Sequence, residues 1–185
     1  MGDPLAVRVG PGVLYIAAIG STEPTDLSSA WDQAWTELGY TDQGSNFVFE
    51  QTFEDVLVAE ELEPIATLQT ARQININFAL AEMTAANMQR ALNGGTVSVN
   101  GSVTSFEPPA AGDYTRVMLG WEADDGFERW VFRNCIQVGS LDIPRRRAPE
   151  KSVLPMSFRA NTPANDDHGN AVKPFIAFFD TDYES

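Results

Sequence analysis

The stretch RQININFALAEMTAANMQRALNGG, Arg72–Gly95, decides the fold because it changes periodicity in its middle. Its first half alternates apolar residues with polar or small ones, which is typical of a strand with one buried face. The predicted buried residues are Ile74, Ile76, Phe78 and Leu80. Asn75 and Asn77 then lie on the opposite face, and neither carries a charge. The stretch therefore predicts a sheet with one apolar face and one uncharged polar face.

The second half of the same stretch has helical spacing. Thr84 is the predicted N-cap, and Met88, Ala91 and Leu92 fall on one face of the helix. Gly94-Gly95 is predicted to end it, since glycine readily adopts the left-handed conformation that follows many helices.

Strand patterns fill most of the remaining chain. They occur in VLYIAAIG, SNFVFEQTFEDVLV, TVSVNGSVTSFE, TRVMLGWEA, FERWVFRNCIQVG, KSVLPMSFRA and KPFIAFFD. Asn100-Gly101 and Asp125-Gly126 are predicted hairpin turns. A second short helix is predicted at Ala30–Leu38, capped by Ser28 or Ser29. Many short strands with so little helix predict a mainly β fold, a β-sandwich or barrel, in one domain of residues 1–185.

The charge balance restricts the possible partners. Lys and Arg total 12 against 26 Asp and Glu, which gives a net charge of −14. Binding to nucleic acid or to an anionic membrane needs basic surface, so both are disfavoured. The N-terminal apolar run lacks the basic region of a signal peptide, and no run approaches the length of a membrane helix. We expect a protein made in a cytoplasm, with no membrane partner.

No constellation of catalytic or ligating residues emerges from the sequence. His168 is the single histidine and Cys135 the single cysteine, so neither a transition-metal site nor a disulfide is complete. Glu122 and Asp124 form one of several carboxylate pairs whose spacing alone does not identify a glycosidase. We expect no catalytic, cofactor-binding or metal-binding residue, and no enzyme.

Two long segments suggest contacts with other chains. One is predicted as a long assembly loop over about 41–70, and the other as a flexible C-terminal loop over about 161–173. A basic run follows Pro144. The candidate contact residues between subunits are Phe47, Phe49 and Phe53, the acidic Glu60, Glu61 and Glu63, and the basic Arg145, Arg146 and Arg147. The basic run is predicted to meet the acidic group of a neighbouring subunit.

Several segments, in this order, resemble the major tail tube proteins of long, non-contractile-tailed phages, most closely those of phages that infect actinobacteria. They are GPGVLYIAAIGSTEP, AWTELGYTDQG, FALAEMTAANMQRAL and WVFRNCIQVG followed by RRRAPEKSVLPMSFRA, and the ending AVKPFIAFFDTDYES also fits. The resemblance covers most of the chain, from Gly10 to about Ala160.

The resemblance implies a β-sandwich or split barrel with one flanking α-helix, related to the tube protein of type VI secretion systems. It further implies a structural protein of the virion tail, with six copies in each ring and rings stacked into a tube for genome ejection. Its partners would be further copies of itself, the tape measure protein and tail-end proteins, with DNA passing transiently and without specific binding. Asn75 and Asn77 would face the lumen or another subunit.

A second hypothesis from a different class is a carbohydrate-binding β-sandwich module. It would use exposed aromatic rings, with Trp31, Trp35 and Trp121 as the candidates. The two hypotheses differ in behaviour, since a tube protein self-assembles whereas a binding module stays monomeric.

Overall fold

The computed structural model describes residues 10–145, 147 and 150–180. Its elements in chain order are β1 (Gly12–Ala18), β2 (Thr36–Glu37), β3 (Thr41–Val56), β4 (Ala66–Leu80), α1 (Ala85–Ala91), β5 (Thr96–Asn100), β6 (Val103–Glu107), β7 (Val117–Ala123), β8 (Glu128–Gln137), β9 (Leu154–Ala160) and β10 (Phe175–Phe179). The predicted mainly β fold with one helix is confirmed.

The strands form one large antiparallel sheet and a separate hairpin. The order in the large sheet is β2-β1-β7-β8-β9-β4-β3, and β10 pairs with the first half of β8. β9 pairs with the last residues of β8 instead, so the large sheet splits into two parts along β8. Side chains from β1, β7 and β8 then pack against those of β4 and β9 around one core. The result is the expected sandwich-like arrangement.

Strand β4 has the burial pattern that its sequence predicts. The four apolar residues of β4 lie in the core: Ile74, Ile76, Phe78 and Leu80. An irregularity in the pairing of β7 with β8 places Leu119 opposite Phe132 but Val117 opposite Cys135. The additional β8 residue turns both Phe132 and Cys135 inward, and Cys135 is fully buried.

The helix predicted at Ala30–Leu38 is wrong. This segment forms turns and the short strand β2, which pairs with β1. Ser28 and Ser29 do not cap a helix, because their backbone N–H groups donate to Oδ1 of Asp26. The segment covers the second face of the β1–β7–β8 sheet, where Trp35 is buried with Met118 and Val131. Burial of two large aromatic rings outweighs the weak local preference for a helix.

The helix α1 begins as predicted, but its last residue is Ala91, three residues before Gly94. The Thr84 side chain accepts a hydrogen bond from the Asn87 backbone N–H. Asn93 is the residue in the left-handed conformation, with φ of 56°. Its N–H donates to the Arg90 carbonyl, and the Gly94 N–H donates to the Gln89 carbonyl, which is a Schellman motif.

Both predicted hairpins are present, with small differences in the turns. Asn100 pairs with Val103, so Gly101 and Ser102 form the two-residue loop between β5 and β6. Strands β7 and β8 are joined by residues 124–127, where Gly126 has a positive φ. None of the described helices is long and apolar enough to cross a membrane.

Candidate assembly site

The segment predicted as a long assembly loop consists mostly of strand. β3 pairs with β4 from Thr41 opposite Leu80 to Val56 opposite Ala66, whereas β9 covers β4 only from Ile74 to Leu80. Residues 50–73 therefore leave the body as a two-stranded ribbon, which we call the arm. The ribbon from Phe49 to Val56 is about 20 Å long at the rise of a twisted strand.

The end of the arm, residues 57–65, is both apolar and acidic. We call these residues the tip. Leu57, Leu62 and Ile65 are exposed, and Leu62 is fully exposed at 103%. Glu60, Glu61 and Glu63 are exposed beside them. A surface of this kind is unusual on an isolated soluble chain and is typical of a contact with another molecule.

The three candidate phenylalanines lie at different depths. Phe47 packs against the core of its own chain, with its ring 5.1 Å from that of Phe132. Phe49 is 43% exposed and also contacts the Phe175 ring. Phe53, on the arm, is 54% exposed and has the most surface available to another subunit.

Asn75 and Asn77 lie on the outer, polar face of the sheet. Asn77 Oδ1 accepts a hydrogen bond of 2.6 Å from Ser157 Oγ, and Asn75 Oδ1 accepts one of 3.4 Å from Gln73 Nε2. Both side chains are half-buried. What this face meets in an assembly stays a prediction.

The basic run lies beside the start of β3 and the end of β4, at the end of the body opposite to the arm. Arg145 and Arg147 are exposed, and Arg146 lies outside the described residues. Arg145 contacts Met83 Sδ at 3.0 Å, and Lys151 Nζ lies 2.6 Å from Asp42 Oδ1. Because β3 separates Asp42 from the tip by about 45 Å of strand, one chain does not bring the arginines to its own Glu60, Glu61 and Glu63.

A cleft of about 320 Å³ opens beside the end of α1. Its apolar lining comes from β1, β7 and β9 and includes Ile16, Ala17, Val117 and Phe158. Arg90 and Arg116 also line it. Sequence patterns do not indicate this site, because its two arginines are distant in sequence and only the pairing of β1 with β7 beside α1 brings them together.

Both arginines of the cleft bond to amides. Arg90 NH1 donates to Asn87 Oδ1 at 2.7 Å, and Arg116 NH1 donates to Asn134 Oδ1 at 3.2 Å. Arg90 is half-buried, and this burial lowers the pKa of its guanidinium. Within the described ranges, neither guanidinium has a carboxylate partner.

Glu122, the candidate glycosidase carboxylate, has a structural role. Its Oε1 lies 2.9 Å from Arg129 NH2, and its Oε2 accepts from the Trp31 indole N–H. Arg129 also donates to the carbonyls of Asp26 and Ser29. These contacts hold the segment before β2 against the sheet, and both carboxylate oxygens of Glu122 are already bonded within the chain.

The tryptophans of the carbohydrate hypothesis contact their own chain. Trp31 stacks on Tyr15 with ring centroids 4.5 Å apart, and Trp35 is buried. Trp121 packs edge-on against Phe47. Trp31 and Trp35 therefore have no free flat face for a sugar ring, and Trp121 is half-buried.

The remaining candidates for chemistry have structural explanations. Asp166 accepts hydrogen bonds from the Asn170 side chain and from the backbone N–H groups of Asn170 and His168, which lower its pKa. Burial raises the pKa of the Cys135 thiol to about 12, so it stays protonated and unreactive. Among the residues that the structure describes, no cluster of His, Cys, Asp or Glu is suited to a metal ion.

Comparison with known proteins assigns the chain to a family of virion proteins. A search of curated protein sequences found no match. The profile of a family described as phage tail tube protein, however, matches residues 2–143, well over half of the chain. The mainly β fold is consistent with this match, and the chain belongs to the phage tail tube protein family, whose members are structural proteins of the virion tail.

Proposed function

We propose that this chain, as one domain of residues 1–185, forms homohexameric rings that stack into the tail tube through which phage DNA enters the host. The observation that carries this proposal is the arm. It projects from the body and exposes an apolar, acidic tip to water, which favours burial against another subunit. Self-assembly through such a contact agrees with membership of the tail tube family.

The edges of the sheet support closure into a ring. Strand β3 has β4 on one side, and the short β2 lies at the other end of the order β2-β1-β7-β8-β9-β4-β3. A long edge strand such as β3 presents free backbone groups that pair readily with another chain. Joining copies at their sheet edges around a closed ring satisfies these groups.

The outer face of β4 suits the wall of a DNA channel. Asn75 and Asn77 hydrogen-bond within the chain, and Arg159, opposite Asn75, is the basic residue nearest to them on the neighbouring β9. A face with few cations makes few phosphate contacts, so DNA slides past without binding. In this proposal the two asparagines face the lumen.

The tail would be long and non-contractile, and its host an actinobacterium, as the resemblance of the ordered segments implies. Tape measure and tail-end proteins would contact the tube. The protein would be made in the host cytoplasm and reside in the virion tail.

The basic run adds a contact between subunits in this proposal. Arg145, Arg146 and Arg147 would meet the acidic tip residues of an adjacent subunit. An exposed ion pair contributes only about 0–1 kcal/mol, but a tube repeats each contact in every ring. Tube formation should therefore weaken as salt concentration rises.

The proposal is tested by shortening the arm. Glu50 pairs with Gln73, so residues 51–72 are replaced with Asn-Gly, which closes a tight hairpin at that point. The body should remain folded by circular dichroism, and electron microscopy should show no tubes. Normal tubes from the shortened variant would refute a role for the arm in assembly.

A further inference from the structure

The cleft beside α1 and the tip of the arm have complementary surfaces. The cleft has an apolar floor flanked by two arginines, Arg90 and Arg116. The tip contains the sequence Glu61-Leu62-Glu63, in which a fully exposed leucine lies between two carboxylates. The tip thus carries the two features that the cleft would bind, an apolar side chain and flanking negative charge.

Binding of an anionic partner in the cleft would also be energetically favourable for Arg90. Arg90 is partly removed from water, and among the described residues its guanidinium bonds to the neutral Asn87 side chain without a carboxylate. A cation that has lost part of its hydration gains most from an anion that completes its hydrogen bonds. Carboxylates of a docked tip would supply those bonds.

The two surfaces lie at opposite ends of the subunit. Ala18 pairs with Val117 at the cleft end of β1 and β7, and β7 then runs away from the cleft toward Ala123. Pairing through β8 and β9 shows that the arm leaves the body of β4 beyond Ile74 in this same direction. One chain therefore does not fill its own cleft, whereas the tip of a second copy stacked head to tail can reach it.

We infer that the tip of one subunit seats in the cleft of a second copy, with Leu62 against the apolar floor and Glu61 and Glu63 paired with Arg90 and Arg116. This inference rests on the proposed tube and specifies the contact that stacks one ring on the next. A head-to-tail contact of this kind does not close on itself and extends into a filament. The exposed basic run, which lies by Met83 before α1, borders the same end of the subunit.

Disulfide trapping tests the contact. The double variant Leu62→Cys/Ala34→Cys places one thiol on the tip and one on a small, exposed residue of the cleft lining. Cys135 is fully buried and adds no background. Tubes assembled in reductant and then oxidised should give a ladder of disulfide-linked oligomers on a non-reducing gel.

Two control double-cysteine variants test whether the tip binds elsewhere on the neighbouring copy. Leu62→Cys/Asp142→Cys places the second thiol in the exposed segment of the basic run, and Leu62→Cys/Asp167→Cys places it in the C-terminal loop. A ladder from either control, with none from the Ala34 pair, would overturn the inference. If the unmodified protein forms no tubes at all, the proposed function itself fails. Tubes that form but give no disulfide ladder with the Ala34 pair would contradict only the inference that the tip binds the cleft.

A charge exchange provides a second readout. Arg90→Glu/Arg116→Glu should reduce the yield of tubes at least tenfold, and adding Glu61→Arg/Glu63→Arg should restore them. If the arginines had a merely structural role, substitutions in the tip would not restore tube formation. Absence of rescue, with both variants folded by circular dichroism, would overturn the pairing. If Arg90→Glu/Arg116→Glu does not fold, the disulfide experiment alone tests the contact.

Discussion

At the residue scale, Arg129 shows how one buried cation fixes a whole segment. It is 2% exposed, stacks over the Trp31 ring at 5.0 Å and donates to two backbone carbonyls as well as to Glu122. Gly120 lies under the same ring, and a Cβ there would overlap Trp31. A desolvated charge of this kind stabilises the fold only while its partner charge is present.

Glu122→Gln should therefore destabilise the protein, although the side chain keeps its shape. We expect a loss of about 2–3 kcal/mol in the free energy of unfolding, because Arg129 is left without a compensating charge. Urea unfolding at neutral pH measures it. Lys151→Met is the control, since the Lys151 side chain is 56% exposed where it pairs with Asp42, and loss of this pair should cost less than about 1 kcal/mol. Equal losses from the two variants would contradict this account.

At the scale of elements, the end of α1 is fixed by Asn93. Its backbone is left-handed, and its side chain bonds both the N–H and the carbonyl of Gln137 in β8. Its carbonyl also accepts from Thr115, which leads into β7. One residue thus ends the helix, aligns it with the sheet and shapes the wall of the cleft.

Substitutions at Asn93 should separate these contributions. Asn93→Ala should cost about 2–4 kcal/mol, since it introduces left-handed strain and removes both side-chain hydrogen bonds. Asn93→Gly relieves the strain and should cost less, about 1–2 kcal/mol. Thermal or urea unfolding gives both values, and a glycine variant that is no more stable than the alanine variant would show that the backbone conformation contributes little.

Periodicity predicted the elements whose two faces differ strongly. The alternation around Ile76 gave β4, and Thr84 gave the start of α1. The pattern failed at Ala30–Leu38, where Trp35 is buried and Trp31 is half-buried against strands that are distant in sequence. The cleft was missed for the same reason, since Arg90 and Arg116 meet only through strand pairing. Local patterns do not encode such pairings.

The arm should differ from the body in its dynamics. In a verified monomer, amides of residues 50–70 should exchange with deuterium faster than those of Gln73–Leu80, because the ribbon has few buried apolar contacts. Assembly should then protect the tip. Mass spectrometry of monomer and tube measures both states. Protection in the monomer equal to that of Gln73–Leu80 would mean that the arm is ordered without a partner.

At the scale of the whole molecule, the subunit has two unlike ends. The arm and its acidic, apolar tip project from one, and the basic run and the cleft lie at the other. A net charge of −14 keeps separate subunits soluble. Local basic surface at one end still permits a directed contact with the acidic tip of another copy. Such a contact would favour the proposed ordered stack of subunits over unspecific aggregation.

Electron microscopy of the purified, concentrated protein in low salt tests the central claim most directly. We predict hollow tubes whose end views show six subunits around an open channel, with density from each ring reaching into the next. A protein that stays monomeric at every concentration, or that forms filaments without a channel, would contradict the account.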